Sequence, residues 1–154
     1  MKILILSDSH YRNIELDLTK YDYVIHCGDY GNSYDLLEEC DAYYVSGNCD
    51  MRGPKERFFE INGKNILVVH GDLYNVKSHY NSLVYKGLER KANFVFFGHT
   101  HRMDMFIEND IVFINPGCYM DDEYVVIGEK SINFYIGKKK YKSFEYRWWN
   151  NWLH

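Results

Sequence analysis

The chain has 154 residues, of which 46% are hydrophobic and 2 are proline, so residues 1–154 fit one compact domain with a sizeable core. Its formal net charge of -4 argues against a protein that binds nucleic acid through an extended basic surface. The apolar run at residues 3–6 is too short for a signal peptide or a membrane span, and no cysteines form a CxxC pair. We therefore expect a cytoplasmic protein with reduced thiols and no membrane partner.

Strands alternate with short helices in the first part of the chain. Residues 2–6 form an apolar strand, and residues 13–20 show weak helical spacing. A second strand at residues 23–26 is followed by a better helix at residues 33–40, which begins with a serine suited to capping. A third strand covers residues 42–45. This order favours an α/β layered fold.

Strands dominate the remainder of the chain. Asn62-Gly63 is the strongest turn signal and predicts a hairpin between strands at residues 57–61 and 64–69. The longest helix is predicted over residues 80–91, before a buried strand at residues 94–97. An antiparallel meander is then predicted, with strands at residues 105–107, 111–115, 124–127, 132–136 and 141–146.

Five of the predicted strands end in short turns that contain glycine or serine together with Asp, Asn or His. In chain order these turns carry Asp8-x-His10, Gly28-Asp29, Gly47-Asn48, His70-Gly71 and Gly98-His99-x-His101. Ligands in layered α/β folds bind beyond the carboxyl ends of strands. We therefore expect these polar groups, although distant in sequence, to converge.

The side chains in these turns offer carboxylate, amide and imidazole donors without a thiolate. This mixture suits Mn, Fe, Zn, Ni or Co and disfavours Mg alone. A carboxylate can bridge two cations, and Asp29, central in the set, is the natural bridge. Asn48 offers a neutral oxygen, while its amide hydrogens remain free to contact a substrate and assist catalysis.

Two divalent cations roughly 3.5–4 Å apart polarise a phosphoryl oxygen and bring a bridging water towards hydroxide. Two aspartates and neutral histidines only partly offset the charge of two such ions, so the site would attract phosphate. The predicted ligands are Asp8, His10, Asp29, Asn48, His70, His99 and His101. Together they predict a two-metal phosphoesterase.

The series DSH, GD, GNCD, HGD and GHTH resembles the calcineurin-like metallophosphoesterase superfamily, over residues from about 3 to 118. The run Asn115-Pro116-Gly117-Cys118 is similar to the NPGS turn of its small prokaryotic phosphodiesterases. That group shares its fold with the phosphoesterase-like subunit of retromer. The resemblance implies a two-layer β-sandwich flanked by helices, in four α/β/β/α layers.

The resemblance also implies how the ligands divide between two cations, with manganese favoured. The first cation would take Asp8, His10, Asp29 and His101, and the second Asp29, Asn48, His70 and His99. Many superfamily members have GNHE, whose histidine is thought to protonate the leaving group, whereas this chain has Cys49 and Asp50. Cys49 is therefore either a candidate catalytic residue or a small packed side chain.

Two further residues are candidates for substrate binding. Tyr11 stands where the family often has glycine, so it would narrow access to the metals or stack on a substrate base. Asn115 lies in the turn similar to NPGS.

Other polar residues near the motifs are expected to be structural. His26 is expected to be a satisfied interior histidine, and His79 is expected on the surface. Asp50 and Asp72 are expected to brace neighbouring turns or to support the imidazoles of the predicted ligands.

Residues 138–154 form a basic and aromatic C-terminal extension. Tryptophans are costly to expose, so we expect Trp148, Trp149 and Trp152 to pack on the domain's own sheet or on a neighbouring subunit. A homo-oligomer is expected only by analogy with similar small enzymes.

Three functions are compatible with the predicted ligands. The leading one is a phosphodiesterase that hydrolyses a small or nucleotide-like diester by attack of a metal-bridging hydroxide. A phosphomonoesterase would need the same metals, and the two differ in the pocket around Tyr11, Cys49 and the Asn115 turn. The third is a non-catalytic protein-binding scaffold of the same fold, which ranks lower because all seven presumptive ligands are present.

Overall fold

The computed structural model describes residues 1–148, and strands alternate with short helices in its first part, as predicted. In chain order, the strands of the described residues are β1 (Ile3–Leu6), β2 (Tyr23–His26), β3 (Tyr43–Tyr44), β4 (Glu56–Ile61), β5 (Lys64–Val69), β6 (Phe94–Phe96), β7 (Met103–Glu108), β8 (Ile111–Pro116), β9 (Glu123–Ile127), β10 (Ser131–Ile136) and β11 (Lys139–Glu145). The helices are α1 (Tyr34–Glu39) and α2 (Asn81–Glu89), with 3-10 turns at Leu18–Lys20, Gly31–Ser33, Asp72–Tyr74 and Tyr119–Asp121.

The strands form two sheets, ordered β11-β10-β9-β1-β2-β3 and β4-β5-β6-β8-β7. Strands β1, β2 and β3 are parallel, as are β5, β6 and β8, so their carboxyl ends lie at one edge of each sheet. The prediction of one antiparallel meander at the end of the chain is wrong, because β7 and β8 extend the second sheet whereas β9 to β11 extend the first. Hydrophobic alternation predicts each strand but carries no information about which sheet the strand joins.

The main core lies between the two sheets. Successive residues of β1 face opposite sides, so Ile5 enters this core while Leu4 packs in a separate cluster with Leu37 of α1. On the outer face of the second sheet, Val95 packs in a third cluster with Leu83 of α2. Helix, sheet, sheet and helix therefore follow in order, which confirms the predicted four-layer α/β fold.

The predicted helix at residues 13–20 is wrong, because only Leu18–Lys20 is helical, as a single 3-10 turn. The side chain of Asp17 caps this turn and accepts a backbone hydrogen bond at 3.1 Å. The backbone N of Glu15 donates to the hydroxyl of Tyr119 at 3.1 Å. A long-range contact therefore takes the place of a helical hydrogen bond.

Trp148 in the C-terminal extension is 3% exposed. Its ring stacks on Phe94 with the centroids 5.0 Å apart, and its Nε1 donates to the carbonyl of Ile61 at 3.2 Å. These contacts confirm packing on the domain's own sheet for Trp148. The same prediction for Trp149 and Trp152 lies outside the described residues.

Replacing Trp148 with alanine should lower the free energy of unfolding by about 3–5 kcal/mol, because it removes a large ring from the core and leaves a cavity. Urea denaturation followed by circular dichroism measures this change. Tyr85 is 73% exposed and provides the control. Tyr85→Ala should change the same free energy by less than about 0.5 kcal/mol, and equal effects of the two substitutions would contradict the packing role.

Cys27, Cys40, Cys49 and Cys118 are free in the structure, and their reduced state in the cell stays a prediction. The two α-helices have 6 and 9 residues. Within residues 1–148, no helix has the combined length and hydrophobicity that crossing a membrane requires.

Candidate metal centre

The polar turns after the parallel strands meet at one edge of the two sheets. The backbone N of His10 donates to the carbonyl of Asp29 at 2.9 Å, which joins the turns after β1 and β2. The backbone N of Gly98 donates to the carbonyl of His70 at 2.8 Å, which joins the turns after β5 and β6. Segments that are distant in sequence therefore share one surface.

The described residues contain three groups of potential metal ligands. Within each group, the ligand atoms lie within 4.8 Å of one another. The groups comprise Asp8, His10 and His101; His10, Asp29 and Cys49; and Asp29, His70 and His99. Apart from Asn48, every predicted ligand belongs to one of these groups. Asp29 belongs to two groups, which is the position that a bridging carboxylate requires, and the first and third groups follow the division that the resemblance implies.

The donor atoms of these groups face one another. His101 Nε2 lies 3.2 Å from Asp8 Oδ1, and His70 Nε2 lies 3.1 Å from Asp29 Oδ2. His10 Nε2 lies between the two carboxylates, 3.7 Å from Asp8 Oδ1 and 3.8 Å from Asp29 Oδ2. Imidazole nitrogens and carboxylate oxygens that point at shared positions are the donor set of a transition-metal cation.

Three of these atoms are buried without a hydrogen-bond partner in the described part of the chain: Asp8 Oδ1, His10 Nε2 and His70 Nε2. His70 Nδ1 lies 2.8 Å from the carbonyl oxygen of Cys27. Because that oxygen can only accept, Nδ1 donates and Nε2 is left to face the carboxylates. Buried lone pairs without partners are costly, and a cation satisfies them, so the residues fit a metal ion.

The charge states of Asp29 and His70 favour a positive charge between them. Burial raises the pKa of Asp29, but the close contact of its Oδ2 with His70 Nε2, 3.1 Å away, outweighs burial and lowers that pKa to about 2. Burial lowers the pKa of His70, but the same contact with Asp29 and the charge of Asp8 raise that pKa above its ordinary value. A proton and a metal cation therefore compete for the same position.

Most of the predicted ligands have the left-handed backbone conformation that residues other than glycine rarely adopt. The φ angles are 54° at Asp8, 43° at His10, 56° at Asp29, 72° at His99 and 62° at His101. Each such conformation costs on the order of 1–3 kcal/mol and persists where the surrounding structure enforces it, commonly at functional sites. The concentration of strain in these turns is a feature that hydrophobic patterning does not reveal.

Glycine in the turn after β3 allows close approach to the predicted bridging carboxylate. A Cβ atom at Gly47 would lie 2.6 Å from the backbone N of Asp29 and 2.7 Å from its Cγ. Contacts this short do not occur between real Cβ atoms and their neighbours. The glycine is therefore required by packing against Asp29 as well as by the turn.

Asn48 and Cys49, the two candidate catalytic residues, are exposed in the same turn. The amide Nδ2 of Asn48 lies 3.6 Å from Cys49 Sγ, and the backbone N of Cys49 donates to Asp29 Oδ1 at 2.9 Å. Burial and the charge of Asp29 raise the pKa of the Cys49 thiol. The turn thus lies against the predicted metal ligand Asp29, and the catalytic roles of both residues stay predictions.

The two candidate substrate-binding residues have opposite environments. Tyr11 follows the predicted ligand His10 and is 84% exposed, and its contact with a substrate stays a prediction. Asn115 is buried. Its Nδ2 donates to the carbonyl of Gly98 at 3.2 Å and to Thr100 Oγ1 at 2.9 Å. Its Oδ1 accepts a hydrogen bond from the backbone N of Gly117 at 3.0 Å. Asn115 therefore holds the loop that carries His99 and His101, and its contact with a substrate stays a prediction.

Several residues around the ligands hold the turns in place. Asp50 Oδ2 accepts from the backbone N of Gly47 at 2.8 Å and of Asp29 at 2.7 Å, which confirms its predicted bracing role. The side chain of Asp72 forms no hydrogen bond or ion pair within the described residues, but its charge acts on the imidazole of His99, so its supporting role stays a prediction. His79 is exposed, as predicted.

Two further residues, Ser7 and Cys118, support the centre in a way that the sequence motifs do not predict. Ser7 Oγ donates to Asp8 Oδ2 at 2.5 Å, and Cys118 Sγ donates to the carbonyl of Asp8 at 3.3 Å. Both hold the Asp8 turn. The signals in the sequence are the position of Ser7 directly before a predicted ligand and the place of Cys118 in the turn similar to NPGS.

His26 is a satisfied interior residue, as predicted. Its Nδ1 accepts from the backbone N of Gly28 at 3.1 Å, so Nε2 carries the proton and donates to Ser9 Oγ at 2.9 Å. Ser9 Oγ in turn donates to the carbonyl of Tyr30 at 3.2 Å. Burial, followed by the charge of His70, lowers the pKa of His26 to about 3.

The buried neutral His26 should make the metal-free protein sensitive to acid. Between pH 6.5 and about 3 the unfolded chain binds a proton at His26 that the native protein does not, so the free energy of unfolding falls as the pH is lowered through this range. Relative to His26→Gln, the wild-type protein should lose up to roughly 1.4 kcal/mol more per pH unit. Urea titrations of both proteins from pH 7 to pH 4 measure this difference, and parallel pH profiles would disprove it.

The chain matches a known protein family and curated relatives in sequence. A family model for the calcineurin-like phosphoesterase superfamily domain matches residues 1–128, which include all the predicted ligands. A protein of Bacillus subtilis, named as the probable metallophosphoesterase YsnB, is 33% identical over 127 residues, covering 76% of this chain and 74% of that protein.

Solved structures share the architecture. A predicted phosphoesterase of Streptococcus pneumoniae aligns with a TM-score of 0.79 and 24% identity, covering 94% of this chain and 97% of that one. Vacuolar protein sorting 29 of Cryptosporidium parvum aligns with a TM-score of 0.76 and 19% identity, covering 95% and 97%. At these identities the likeness establishes the fold.

Proposed function

The chain belongs to the calcineurin-like phosphoesterase superfamily, and on this basis we propose that it is a metal-dependent phosphodiesterase acting on a small or nucleotide-like phosphodiester. One observation carries the proposal. Within residues 1–148, the atoms Asp8 Oδ1, His10 Nε2 and His70 Nε2 are buried and have no hydrogen-bond partner. Both imidazole nitrogens face Asp8 Oδ1, at 3.7 Å and 3.9 Å. The GNCD turn, similar to that of small prokaryotic phosphodiesterases, favours a diester over a monoester.

The proposed cofactor is a pair of divalent transition-metal ions, with manganese favoured over Ni, Fe, Zn and Co. The residues that would hold the pair are Asp8, His10, Asp29, Asn48, His70, His99 and His101. When bound, such a pair supplies Lewis acidity towards a phosphoryl oxygen and lowers the pKa of a coordinated water.

The side chains of the centre have separate tasks in this proposal. Asp29 remains a carboxylate at neutral pH, because its pKa is about 2. The carbonyl of Cys27 fixes the orientation of the His70 ring. Asn48, exposed beside the ligands, would donate its amide hydrogens to a phosphate oxygen.

The overall reaction consumes one water molecule. The water oxygen forms a bond to phosphorus, the bond between phosphorus and one ester oxygen breaks, and a proton from water ends on the departing alcohol. The products are a phosphomonoester and an alcohol.

Turnover of two aryl esters tests this function. Manganese-loaded protein should hydrolyse bis(p-nitrophenyl) phosphate with a kcat/KM at least about tenfold above that for p-nitrophenyl phosphate, and a chelator should abolish both activities. The opposite preference would make the protein a phosphomonoesterase. Turnover that survives complete removal of metal would contradict the mechanism.

A binding scaffold of the same fold is the alternative outside enzymology, and the structural likeness to vacuolar protein sorting 29 motivates it. We rank it second because all seven presumptive ligands are retained. Absence of turnover with every metal of the series above would support the scaffold. Homo-oligomeric assembly stays a prediction, which a measurement of mass in solution tests.

A further inference from the structure

A groove opens directly beside the candidate metal centre, where β7 of the second sheet faces β10 and β11 of the first. Its volume is about 430 Å³, within the range of roughly 300–1,000 Å³ that is typical of small-molecule sites. His101, one of the predicted metal ligands, lines the groove. The apolar part of the wall is formed by Met103, Met105, Phe134, Ile136, Tyr141 and Phe144.

A β-bulge directs two adjacent residues of β11 into this groove. Phe134 pairs with Lys142 and Tyr135 pairs with Lys140, so Tyr141 is an extra residue without a partner in the register. Adjacent residues of a regular strand would face opposite sides, but Tyr141 and Lys142 both line the groove. Lys142 Nζ lies 5.5 Å from the centroid of the Tyr141 ring. The bulge thus places a flat ring and a cation together on one wall.

Two cations, Arg102 and Lys142, and two carboxylates, Asp104 and Glu123, line the groove, so its formal charges balance. Arg102 and Lys142 form no ion pair within 4.0 Å in the described part of the chain. The two carboxylates of the wall are already hydrogen-bonded within the protein: Glu123 Oε1 accepts from the backbone N of Cys118 at 3.0 Å, and Asp104 Oδ2 accepts from the Tyr80 hydroxyl at 2.7 Å.

We propose that this groove binds the organic substituent of the phosphodiester, and that the substituent is planar and aromatic, as in an aryl ester or a nucleoside. This inference rests on the proposed function of the neighbouring centre. With the phosphate at the centre beside His101, a ring attached to it would enter between Met103 and Tyr141 and stack on the tyrosine. Lys142 and Arg102, which form no ion pair within residues 1–148, would contact the anionic ester.

Two non-hydrolysable diester analogues that differ only in a ring test the groove. Methylphenylphosphinate and dimethylphosphinate, monoanions with two P–C bonds and no ester bond, are titrated into manganese-loaded protein by calorimetry. Wild type should bind the phenyl compound about tenfold more tightly. Tyr141→Ala should reduce this preference to within twofold, while Tyr141→Phe keeps the ring and should retain it.

The kinetic readout uses the same variants. Tyr141→Ala should raise KM for bis(p-nitrophenyl) phosphate about tenfold with little change in kcat, because stacking acts on binding. Tyr85→Ala, on the exposed face of α2, should change neither value. Thermal melting of each variant checks that the fold is intact.

Each negative result has a distinct meaning. Failure of wild type to prefer the phenyl analogue, or full preference in Tyr141→Ala, would overturn the groove as a substituent site. Hydrolysis of the diester by wild type in that case would leave the proposed function standing. A change in the mass of Tyr141→Ala in solution would make the groove a contact between copies of the chain, which would also overturn the inference.

Discussion

Substitution of Asp29 by asparagine should reduce kcat/KM on bis(p-nitrophenyl) phosphate on the order of 1,000-fold and lower the bound metal per chain. Asp29 shares ligand groups with His10 and Cys49 on one side and with His70 and His99 on the other. Asparagine is similar in size but carries no charge. The substitution therefore removes the one carboxylate shared by these two ligand groups. Metal analysis by mass spectrometry after dialysis, followed by steady-state kinetics, measures both effects.

Asp110→Asn is the matched control for this substitution. Asp110 is exposed in the turn between β7 and β8, and its φ of 62° resembles the 56° of Asp29. The same chemical change in the same backbone conformation should leave metal content and turnover unaltered. Asp29→Asn protein that retains both its metal and its turnover would refute a bridging role for this carboxylate.

Substitution of Gly98 by alanine should be the second most damaging change, with a loss of turnover of about 100-fold or more. A Cβ atom at Gly98 would lie 2.7 Å from Asp8 Oδ2 and 3.0 Å from the Cβ of Ser7. The Asp8 carboxylate would have to move away from His101 and from the backbone N of His99, which donates to it at 3.2 Å. The expected effect is therefore lost metal affinity together with lost activity.

Gly128→Ala serves as the comparison for Gly98→Ala. The nearest atom to a Cβ at Gly128 is the carbonyl oxygen of Ser131 at 4.0 Å, so alanine fits there without displacement. Metal titration monitored by calorimetry and melting curves separate a local effect from unfolding. A folded Gly98→Ala protein with wild-type metal affinity would show that the position of Asp8 is not limited by this contact.

The sequence predicted most strands and the convergence of the polar turns because both depend on local patterns. A strand followed by Asp, Asn or His predicts a ligand-binding site at that edge of a layered fold, even when the neighbours of the strand in the sheet are unknown. The allocation of β7 to β11 between the two sheets was not predictable in this way, since alternation is the same in either sheet. The helix predicted at residues 13–20 failed because Asp17 and Tyr119 replace its hydrogen bonds.

Details of the centre depend on tertiary contacts that the sequence does not display. The left-handed backbone at His99 and His101 follows from the path of their loop, which Asn115 holds by its side-chain amide. The hydrogen bond from Ser7 to Asp8 has only a weak signal in the chain. The bulge that brings Tyr141 into the groove arises because the pairing register of β10 and β11 shifts by one residue. Regular alternation would have placed the side chains of Tyr141 and Lys142 on opposite faces of the sheet.

Anomalous diffraction from crystals grown with manganese locates the cations of the proposed centre. Two anomalous peaks per chain are expected, one among the donor atoms of Asp8, His10 and His101 and the other among those of Asp29, His70 and His99. A single peak, or none in contact with these residues at saturating manganese, would contradict a two-metal centre.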